Sequence, residues 1–344
     1  GLRATPLLGM YLNLFLSRPA DAGIKPRDFD GIKKEHGPFA FTADTIWTLI
    51  QRLYGVAFAG LLDPSIVLAV LEKRRSQIDE RLAASRPGCE AFAVGSGEYM
   101  MTELLHRWLG YPILQAYEII EVGEDGIPDW RSCQANLRNA FAQLERGRPF
   151  VMAGFVGVDR VPSDHRIEPE HRLLPFGGTD VTAAIVACAL DEVTVLEVRK
   201  AVPGVYTGDP ELLERHGIRP RLIRTMWHRV LREAGAQPLH ADAISAIHRL
   251  RSDLRVHIAS CDELDASGTW IVPKADCEGA VITLMNGVQG LTAIDLVKDG
   301  FDVEAGGLEI ICATVASHGL SISDVATGRD AVMISVHGDD LLRD

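Results

Sequence analysis

The chain has 344 residues, with 35 Lys and Arg against 47 Asp and Glu, so its formal net charge is −12. Such an acidic chain lacks the basic footprint that sequence-independent nucleic-acid binding needs, and we expect no nucleic-acid partner. A hydrophobic fraction of 47% and a charged fraction of 24% are those of a globular protein and exclude wholesale disorder. The length is enough for two domains.

The N-terminal region contains an apolar run at residues 7–16, LLGMYLNLFL. It is shorter than the roughly 18–20 residues of a membrane span, so we expect no membrane association. Arg3 ahead of the run also fits a secretory signal. Arg18 and Asp21 crowd the would-be cleavage site, however, and we expect a cytoplasmic protein.

Residues 39–85 are predicted to be helical, because apolar residues recur at three- and four-residue spacing. Thr42 and Asp44 are candidate caps, and a break is expected at residues 62–65, Leu-Asp-Pro-Ser. From about residue 91, short apolar runs (AFAV, PFVMAGFVGV, EVTVLEV, RVHIAS) alternate with helical stretches. This alternation is typical of a parallel sheet covered on both faces.

A second unit is expected from residue 276, after the polar link with Pro273 and Lys274. Its segments AVITLMNGV, LTAIDLVKDGF, LEIICATVASHG, LSISDVAT and AVMISVHG suggest strand, loop, helix, strand and strand in turn. Gly319 is expected to end the helix in a left-handed conformation. The six cysteines show no C-x-x-C spacing, which favours buried, reduced thiols.

The most informative motif is LLPFGGTDVTAA, starting at Leu173. Gly177 and Gly178 allow a close backbone approach to an anion, and the N-terminus of the helix that follows offers free N–H groups. Thr179 or Asp180 as a plain N-cap is the alternative interpretation. By itself the motif does not decide between the two.

Further motifs occur in a fixed order around it: GSGEYMM from Gly95, AGFVG from Ala153, EVRKAVPGVYTGDP from Glu197, RLIRTMWHRVLREAGAQPLHA from Arg221, and SGTWIV from Ser267. Together they resemble the aspartate kinases of the amino-acid kinase family, and GGLEIICATVASHGLSISDV resembles that family's regulatory ACT module. The resemblance covers about residues 90–335. It implies an α/β fold, an amino-acid kinase-like parallel-sheet sandwich at residues 1–275, with a smaller C-terminal α+β ACT-like domain at 276–344. The family's opening motif K-F-G-G-T-S does not occur in the sequence given.

The resemblance also implies an activity, ATP-dependent phosphorylation of the side-chain carboxylate of aspartate or a related amino acid. Asp180 would organise phosphoryl transfer as the catalytic residue, and Glu98 and Thr179 would bind the amino acid. ATP and Mg²⁺ are implied as cofactors, with no side-chain metal ligand assigned, together with an amino-acid effector at the ACT-like domain and a homodimer formed through it. The implied nucleotide- and phosphate-binding residues are Gly154, Gly157, Gly177, Gly178, Lys200, Val202, Gly204, Tyr206 and Asp209. We expect the Gly177–Asp180 turn to border the largest polar cleft with Glu98 and Gly204.

Four positions depart from the family pattern. Phe176 and Gln237 stand where the pattern has Arg and Lys, Glu211 replaces an Arg, and Ala201 replaces an Asp. Three of these changes remove a cation, and phosphoryl transfer depends on cationic charge stabilisation. We therefore expect weak nucleotide binding and slow aspartate phosphorylation. The alternative is a weak or inactive paralogue that binds amino acids as a regulatory subunit.

Three histidines are further candidates for a catalytic or metal-binding role. His240 matches the family's L-H-P histidine, and a structural role is favoured over a catalytic one. His165 and His171 have acidic neighbours that suggest a metal, but exposed loop residues are the favoured interpretation.

Overall fold

The computed structural model describes residues 4–15, 42–123, 125–145, 147–159, 169–175, 177–233, 238–263, 267–276, 291–297, 306–327 and 331–337. Contacts within the chain divide it into two compact units, Gly1–Leu284 and Met285–Asp344. In the part of the chain that is described, no helix is both long and apolar enough to cross a bilayer.

The first unit opens with helices that share a core. They are α1 (Ala4–Phe15), α2 (Ala43–Ala57), α3 (Pro64–Ala83) and α4 (Cys89–Leu109). Each contributes a fully buried side chain to it: Leu7, Trp47, Leu71 and Met100.

Side-chain caps fix where α2 and α3 begin. The Thr42 hydroxyl accepts the N–H of Thr45 at 3.1 Å, and Asp63 Oδ1 accepts the N–H of Ser65 at 2.8 Å. Because these side chains satisfy backbone donors that have no partner inside the helix, they stabilise both starts. The predicted helices in residues 39–85 and the break between them are confirmed.

The segment AFAV, predicted as a short strand, instead lies inside α4. Four apolar residues carry too little periodicity to distinguish a strand from a buried helix segment. Gly95, in the next turn of α4, permits close packing, because a Cβ there would lie 2.5 Å from Val156 Cγ1.

Short strands and helices follow α4. They are β1 (Ile113–Leu114), α5 (Ala116–Ile119), α6 (Trp130–Phe141), β2 (Val151–Met152), β3 (Val156–Asp159) and β4 (Glu170–Leu173). β1 pairs parallel to β2, with Ile113 opposite Val151. β3 and β4 form an antiparallel pair with Val156 opposite Leu173. A parallel bridge joins Glu121 to Val158, so β3 also continues the parallel arrangement.

The largest sheet of this unit has four strands in the order β5-β7-β8-β6. Its β5/β7 and β6/β8 pairings are parallel and its β7/β8 pairing is antiparallel. The sheet is therefore mixed, and the α/β class is confirmed. The elements in chain order are α7 (Gly178–Ala189), β5 (Val195–Lys200), α8 (Pro210–Arg215), β6 (Thr225–Trp227), α9 (His228–Glu233), α10 (Ala241–Leu250), β7 (Arg255–Ser260) and β8 (Thr269–Val272).

Helix α7 is the central helix of this region. It packs against α6 and α10, and its Ala184 and Ile185 are fully buried. This packing fixes the N-terminal end of α7 next to the carboxyl end of β5, where open α/β sheets bind their ligands.

The described residues of the second unit form one helix and a three-stranded antiparallel sheet, in the order β10-β11-β9. Its elements are β9 (Leu291–Val297), α11 (Gly307–Ser317), β10 (Ile322–Thr327) and β11 (Ala331–His337). Val332, Ile334 and Val336 of β11 form its buried core. The predicted helix is confirmed, and Gly319 has φ +70° just after it.

One prediction in this unit was wrong: LTAIDLV was expected as a loop and forms β9. It is held by pairing with β11, Leu291 opposite His337, a partner far along the chain that local pattern does not reveal. The expected strand AVITLMNGV lies outside the described residues.

Candidate active site

The glycine-rich turn before α7 is closed by its neighbours. Gly177 has φ +87°, a conformation that favours glycine, and a Cβ on it would overlap the ring of His240. A Cβ on Gly178 would lie 2.5 Å from Leu174 Cβ and 3.1 Å from the Phe155 ring. Both glycines are therefore required by close packing at this turn.

Asp180 lies in the first turn of α7 and is buried, with 7% of its surface exposed. Lys200 Nζ contacts both carboxylate oxygens of Asp180, at 2.7 and 2.9 Å. The backbone N–H of His240 donates to Asp180 Oδ2 at 3.1 Å. Since Lys200 is the last residue of β5, this ion pair joins the N-terminus of α7 to the carboxyl end of that strand.

The bend between β2 and β3 approaches the same turn. Phe155 has φ +67°, unusual for a residue with a side chain, and its N–H donates to Thr182 Oγ1 at 3.2 Å. A Cβ on Gly154 would lie 2.9 Å from Thr179 Cγ2. Strained backbone of this kind is found at functional sites, and here it brings the bend against the first turn of α7.

The turn before α7 already uses two of its own backbone amides, one of them the Gly178 amide that was predicted to bind phosphate. The N–H of Gly178 donates to Pro175 O at 2.8 Å, and that of Asp180 donates to Gly177 O at 2.9 Å. Gly157 lies inside β3, and a Cβ on it would lie 2.7 Å from Ile120 O, so close strand packing accounts for it. Thr179 is exposed at the turn.

The loop after β5 carries the other predicted nucleotide-binding residues. Gly204 is buried, and the adjacent Val205 N–H donates to Thr269 Oγ1 at 2.9 Å. Val202 is exposed and Tyr206 is half-buried. Asp209 Oδ1 accepts the N–H of Glu211 at 2.9 Å at the start of α8. The loop is thus anchored at Gly204 and at Asp209.

Glu98 lies in α4, where burial raises the pKa of its carboxyl above the usual range. No hydrogen bond or ion pair between described residues joins it to Thr179 or Asp180. The expectation that the Gly177–Asp180 turn borders the largest polar cleft with Glu98 and Gly204 stays a prediction. A cavity of about 970 Å³ lies beside α3 and α4, and the turn is filled by the Phe155 and His240 packing and the Asp180–Lys200 pair.

Two arginines that were not among the predicted site residues lie near the loop after β5. Arg219 and Arg221 line a cavity of about 560 Å³ with Thr207. Arg221 lies within a family motif, whereas Arg219 has no motif position to mark it. Arg199 is engaged elsewhere, since it pairs with Glu197 at 2.5 Å and donates to Ser260 O.

Two of the four positions that depart from the family pattern lie among the described residues. Ala201 is exposed, and Glu211 lies in the first turn of α8, also exposed. Phe176 and Gln237 lie outside the described residues. The structure therefore places a carboxylate at the start of α8, where the family pattern has a guanidinium.

The remaining candidates have structural roles. His240 Nδ1 accepts the N–H of Asp242 at the start of α10, in agreement with the structural interpretation. His171 is half-buried in β4 against Phe92 and Tyr117 and is not a loop residue; His165 lies outside the described residues. No group of three or more potential metal ligands is found among the residues that the structure describes.

The cysteines follow the prediction only in part. Cys133 and Cys188 are buried, Cys89 and Cys312 are half-buried, and Cys261 is exposed after β7. Cys277 lies outside the described residues.

Solved structures with a similar fold are aspartate kinases. The aspartate kinase of Clostridium acetobutylicum, described as an allosteric enzyme, is 22% identical with a TM-score of 0.69, over 99% of this chain and 69% of that chain. Aspartokinase III of E. coli in complex with lysine and aspartate is 18% identical with a TM-score of 0.63, over 96% of this chain and 70% of that chain. The structure of the same enzyme in complex with aspartate and ADP is also 18% identical with a TM-score of 0.63, over 97% of this chain and 70% of that chain.

No curated protein sequence matches this chain to a significant degree. The model of the amino acid kinase family matches residues 27–260, well over half of the chain. The aspartate kinase fold and the arrangement of α7 and β5 agree with that match. The chain belongs to the amino acid kinase family.

Proposed function

We propose that the protein transfers the γ-phosphoryl group of ATP to the side-chain carboxylate of aspartate or a closely related amino acid. The observation that carries this proposal is the Asp180–Lys200 pair at the N-terminus of α7. It places a fixed cation at the carboxyl end of β5, and phosphoryl transfer asks a protein chiefly for positioning and cationic charge. Aspartate and ADP bound to E. coli aspartokinase III support the substrate class.

In this proposal Asp180 is a catalytic residue that orients Lys200. The carboxylate holds the ammonium through both of its oxygens, while about 29% of the Lys200 side chain stays exposed. The amine is therefore fixed in place and still accessible to a phosphate oxygen. As a carboxylate oxygen of the substrate bonds to the γ-phosphorus and ADP leaves, the positive charge meets the charge on the transferring group.

The positive charges of the residues present fit the negatively charged phosphates of ATP. Lys200, Arg219 and Arg221 supply cations near the loop after β5. Mg²⁺ would supply further charge neutralisation at the phosphates. Mg²⁺ is commonly held by one or two carboxylates and by substrate phosphates. Since Asp180 is already paired with Lys200, phosphate oxygens would be the main ligands of Mg²⁺ here.

Glu98 and Thr179 are proposed to bind the amino-acid substrate. Burial favours the neutral form of Glu98, and a substrate ammonium nearby would restore its charged form. Substrate binding would then supply the charge pair that Glu98 lacks in the described structure.

A regulatory role is the second candidate, favoured by Glu211. Its exposed carboxylate at the start of α8 repels a polyphosphate where the family pattern has an arginine. Together with Phe176 and Gln237 it lowers the expected phosphoryl-transfer rate. The second unit, with one helix on a three-stranded sheet, is proposed to be the ACT-like regulatory domain that binds an amino-acid effector.

The proposal is tested by trapping the acyl phosphate. The full chain is incubated with ATP, Mg²⁺ and hydroxylamine, and hydroxamate formation is measured across aspartate, glutamate and other amino acids. Slow hydroxamate formation with one acidic amino acid, dependent on ATP, supports the kinase. ATP and amino-acid binding by calorimetry without hydroxamate would support the regulatory candidate instead.

A further inference from the structure

A cavity of about 970 Å³ lies beside α3, α4 and the β3–β4 pair, and we call it the α3–α4 cavity. Its size is in the range of small-molecule sites. Helix α3 lines it with Arg74 and Arg81, α4 with Phe92 and Tyr99, and the segments beyond with Tyr117 and His171. None of the proposed substrate- or nucleotide-binding residues lies among its lining residues.

Arg74 is a half-buried cation at this cavity. Its guanidinium carbon lies 4.8 Å from the centre of the Phe92 ring and 4.6 Å from that of Tyr99. Burial lowers the pKa of Arg74 to about 10. No ion pair connects it to a carboxylate among the described residues. The two ring contacts offset part of the hydration that the guanidinium gives up, but they do not replace a negatively charged partner.

A second cation lies close to the first. Arg81 stands 4.6 Å from the centre of the same Phe92 ring, and it too has no ion pair within the described part of the chain. Two further arginines of the lining are paired, Arg86 with Glu80 at 3.3 Å and Arg107 with Glu103 at 2.9 Å. Lys73 and Glu118 also line the cavity, and their opposite charges leave its net charge unchanged. The local excess of positive charge is therefore concentrated at Arg74 and Arg81.

An independent feature also indicates a missing partner. Tyr99 is 93% buried, with 7% of its surface exposed, and its hydroxyl has no hydrogen-bond partner among the described residues. Buried polar groups are nearly always hydrogen-bonded, so a buried hydroxyl without a partner beside a cavity points to a ligand or ordered water there.

We propose that the α3–α4 cavity binds a small organic anion with an aromatic body, its carboxylate or phosphate group held between Arg74 and Arg81. Guanidinium groups form charge-assisted, often bidentate hydrogen bonds with both kinds of anion. The rings of Phe92, Tyr99 and Tyr117 offer the apolar contacts for the ligand body. This site is separate from the proposed kinase site and does not depend on that function.

The test is titration of the full chain with three matched fluorescent probes: 1-naphthyl phosphate, 1-naphthaleneacetate and the neutral 1-naphthaleneacetamide. At least one of the two anions is expected to bind more tightly than the neutral amide, by about tenfold or more. A difference of this size corresponds to one charge-assisted hydrogen bond. Preference between the two anions tells whether phosphate or carboxylate is the better ligand. Equal binding of all three probes, or none of either anion, would overturn the proposal.

Variants locate the site. Arg74→Met and Arg81→Met should each weaken anion binding by about tenfold, because each removes a charge-assisted contact. Arg86→Gln is the matched control, since it removes the same charge from a residue of the cavity lining that is already paired. Its anion affinity should change less than about twofold. Equal losses in all three variants would show a nonspecific charge effect and contradict the proposal.

Hydrogen–deuterium exchange of the wild-type chain gives a result that does not depend on the folding of any variant. With 1-naphthyl phosphate, slower exchange is expected in peptides from Pro64–Ala83 and Cys89–Leu109. Protection confined to the loop at residues 201–209 would place the anion at the kinase site and overturn the proposal.

Discussion

At the scale of single residues, Gly177 determines both the backbone conformation and the packing of the glycine-rich turn before α7. Gly177→Ala should lower the free energy of unfolding by about 1–2 kcal/mol through the left-handed backbone alone, and displacement of the His240 ring adds to the loss. Gly147→Ala is the control, because Gly147 has φ +77° with open space around it. Urea unfolding measures both. Equal losses in the two variants would show that the His240 contact is unimportant.

The departures from the family pattern give a second prediction at this scale. Phe176→Arg combined with Gln237→Lys should raise kcat/KM for ATP by about 10- to 100-fold, the range of one restored charge-assisted hydrogen bond. Steady-state kinetics at varied ATP measures the change. Unchanged kcat/KM in the double variant would mean that these two positions do not explain a slow reaction.

At the scale of elements, β4 carries a histidine whose protonation depends on folding. Burial, and then the nearby Arg81 and Arg74, lower the pKa of His171 from 6.5 to about 4. In the unfolded chain it takes up a proton near pH 6.5, and in the folded chain only near pH 4. Stability from this group is therefore present above pH 6.5 and is lost as the pH falls towards 4.

His171→Phe should accordingly reduce the acid sensitivity of the fold. Between pH 7 and 5 the variant should lose about 1 kcal/mol less free energy of unfolding than the wild type, allowing for solvent screening at this half-buried position. Urea unfolding at several pH values measures the slope, with His216→Gln, at an exposed position, as the control. Parallel pH profiles for wild type and His171→Phe would contradict the assignment.

Helices and strands were predictable where the sequence pattern that indicates them lies within the element itself. Helices α2 and α3 follow from their periodicity and their caps at Thr42 and Asp63. The strand β9 was missed because it depends on pairing with β11, and AFAV was misassigned because a short apolar run fits either structure. Tertiary partners decide such segments.

The candidate site was predictable to the same extent. Motif order identified Asp180 and Lys200, but it did not show that they pair, because that contact depends on how α7 and β5 are placed by the fold. The packing of Gly157 against Ile120 and of His240 against Gly177 likewise depends on neighbours distant in sequence, whereas the cap that His240 forms with Asp242 is local.

At the scale of the whole molecule, we expect the second unit to form a homodimer. The family resemblance implies this dimer, and Ile310 of α11, an apolar side chain with 67% of its surface exposed, is the candidate contact. Light scattering should give about twice the 37.5 kDa chain mass for the wild type. Ile310→Asp should give the monomer mass, whereas Val56→Asp, an equally exposed position of α2, should leave the dimer intact. A monomeric wild type would contradict this expectation.

The most direct test of the phosphotransferase assignment is the turnover of Asp180→Asn in the hydroxamate assay. Asn keeps the size of the side chain but loses the charge that holds Lys200, so turnover should fall by about a hundredfold or more. Asp191→Asn, at a fully exposed carboxylate, should match the wild type. Far-UV circular dichroism and a thermal midpoint close to that of the wild type would show that the variant is folded. A folded Asp180→Asn protein with wild-type turnover would contradict the assignment of phosphoryl transfer to the Asp180–Lys200 pair.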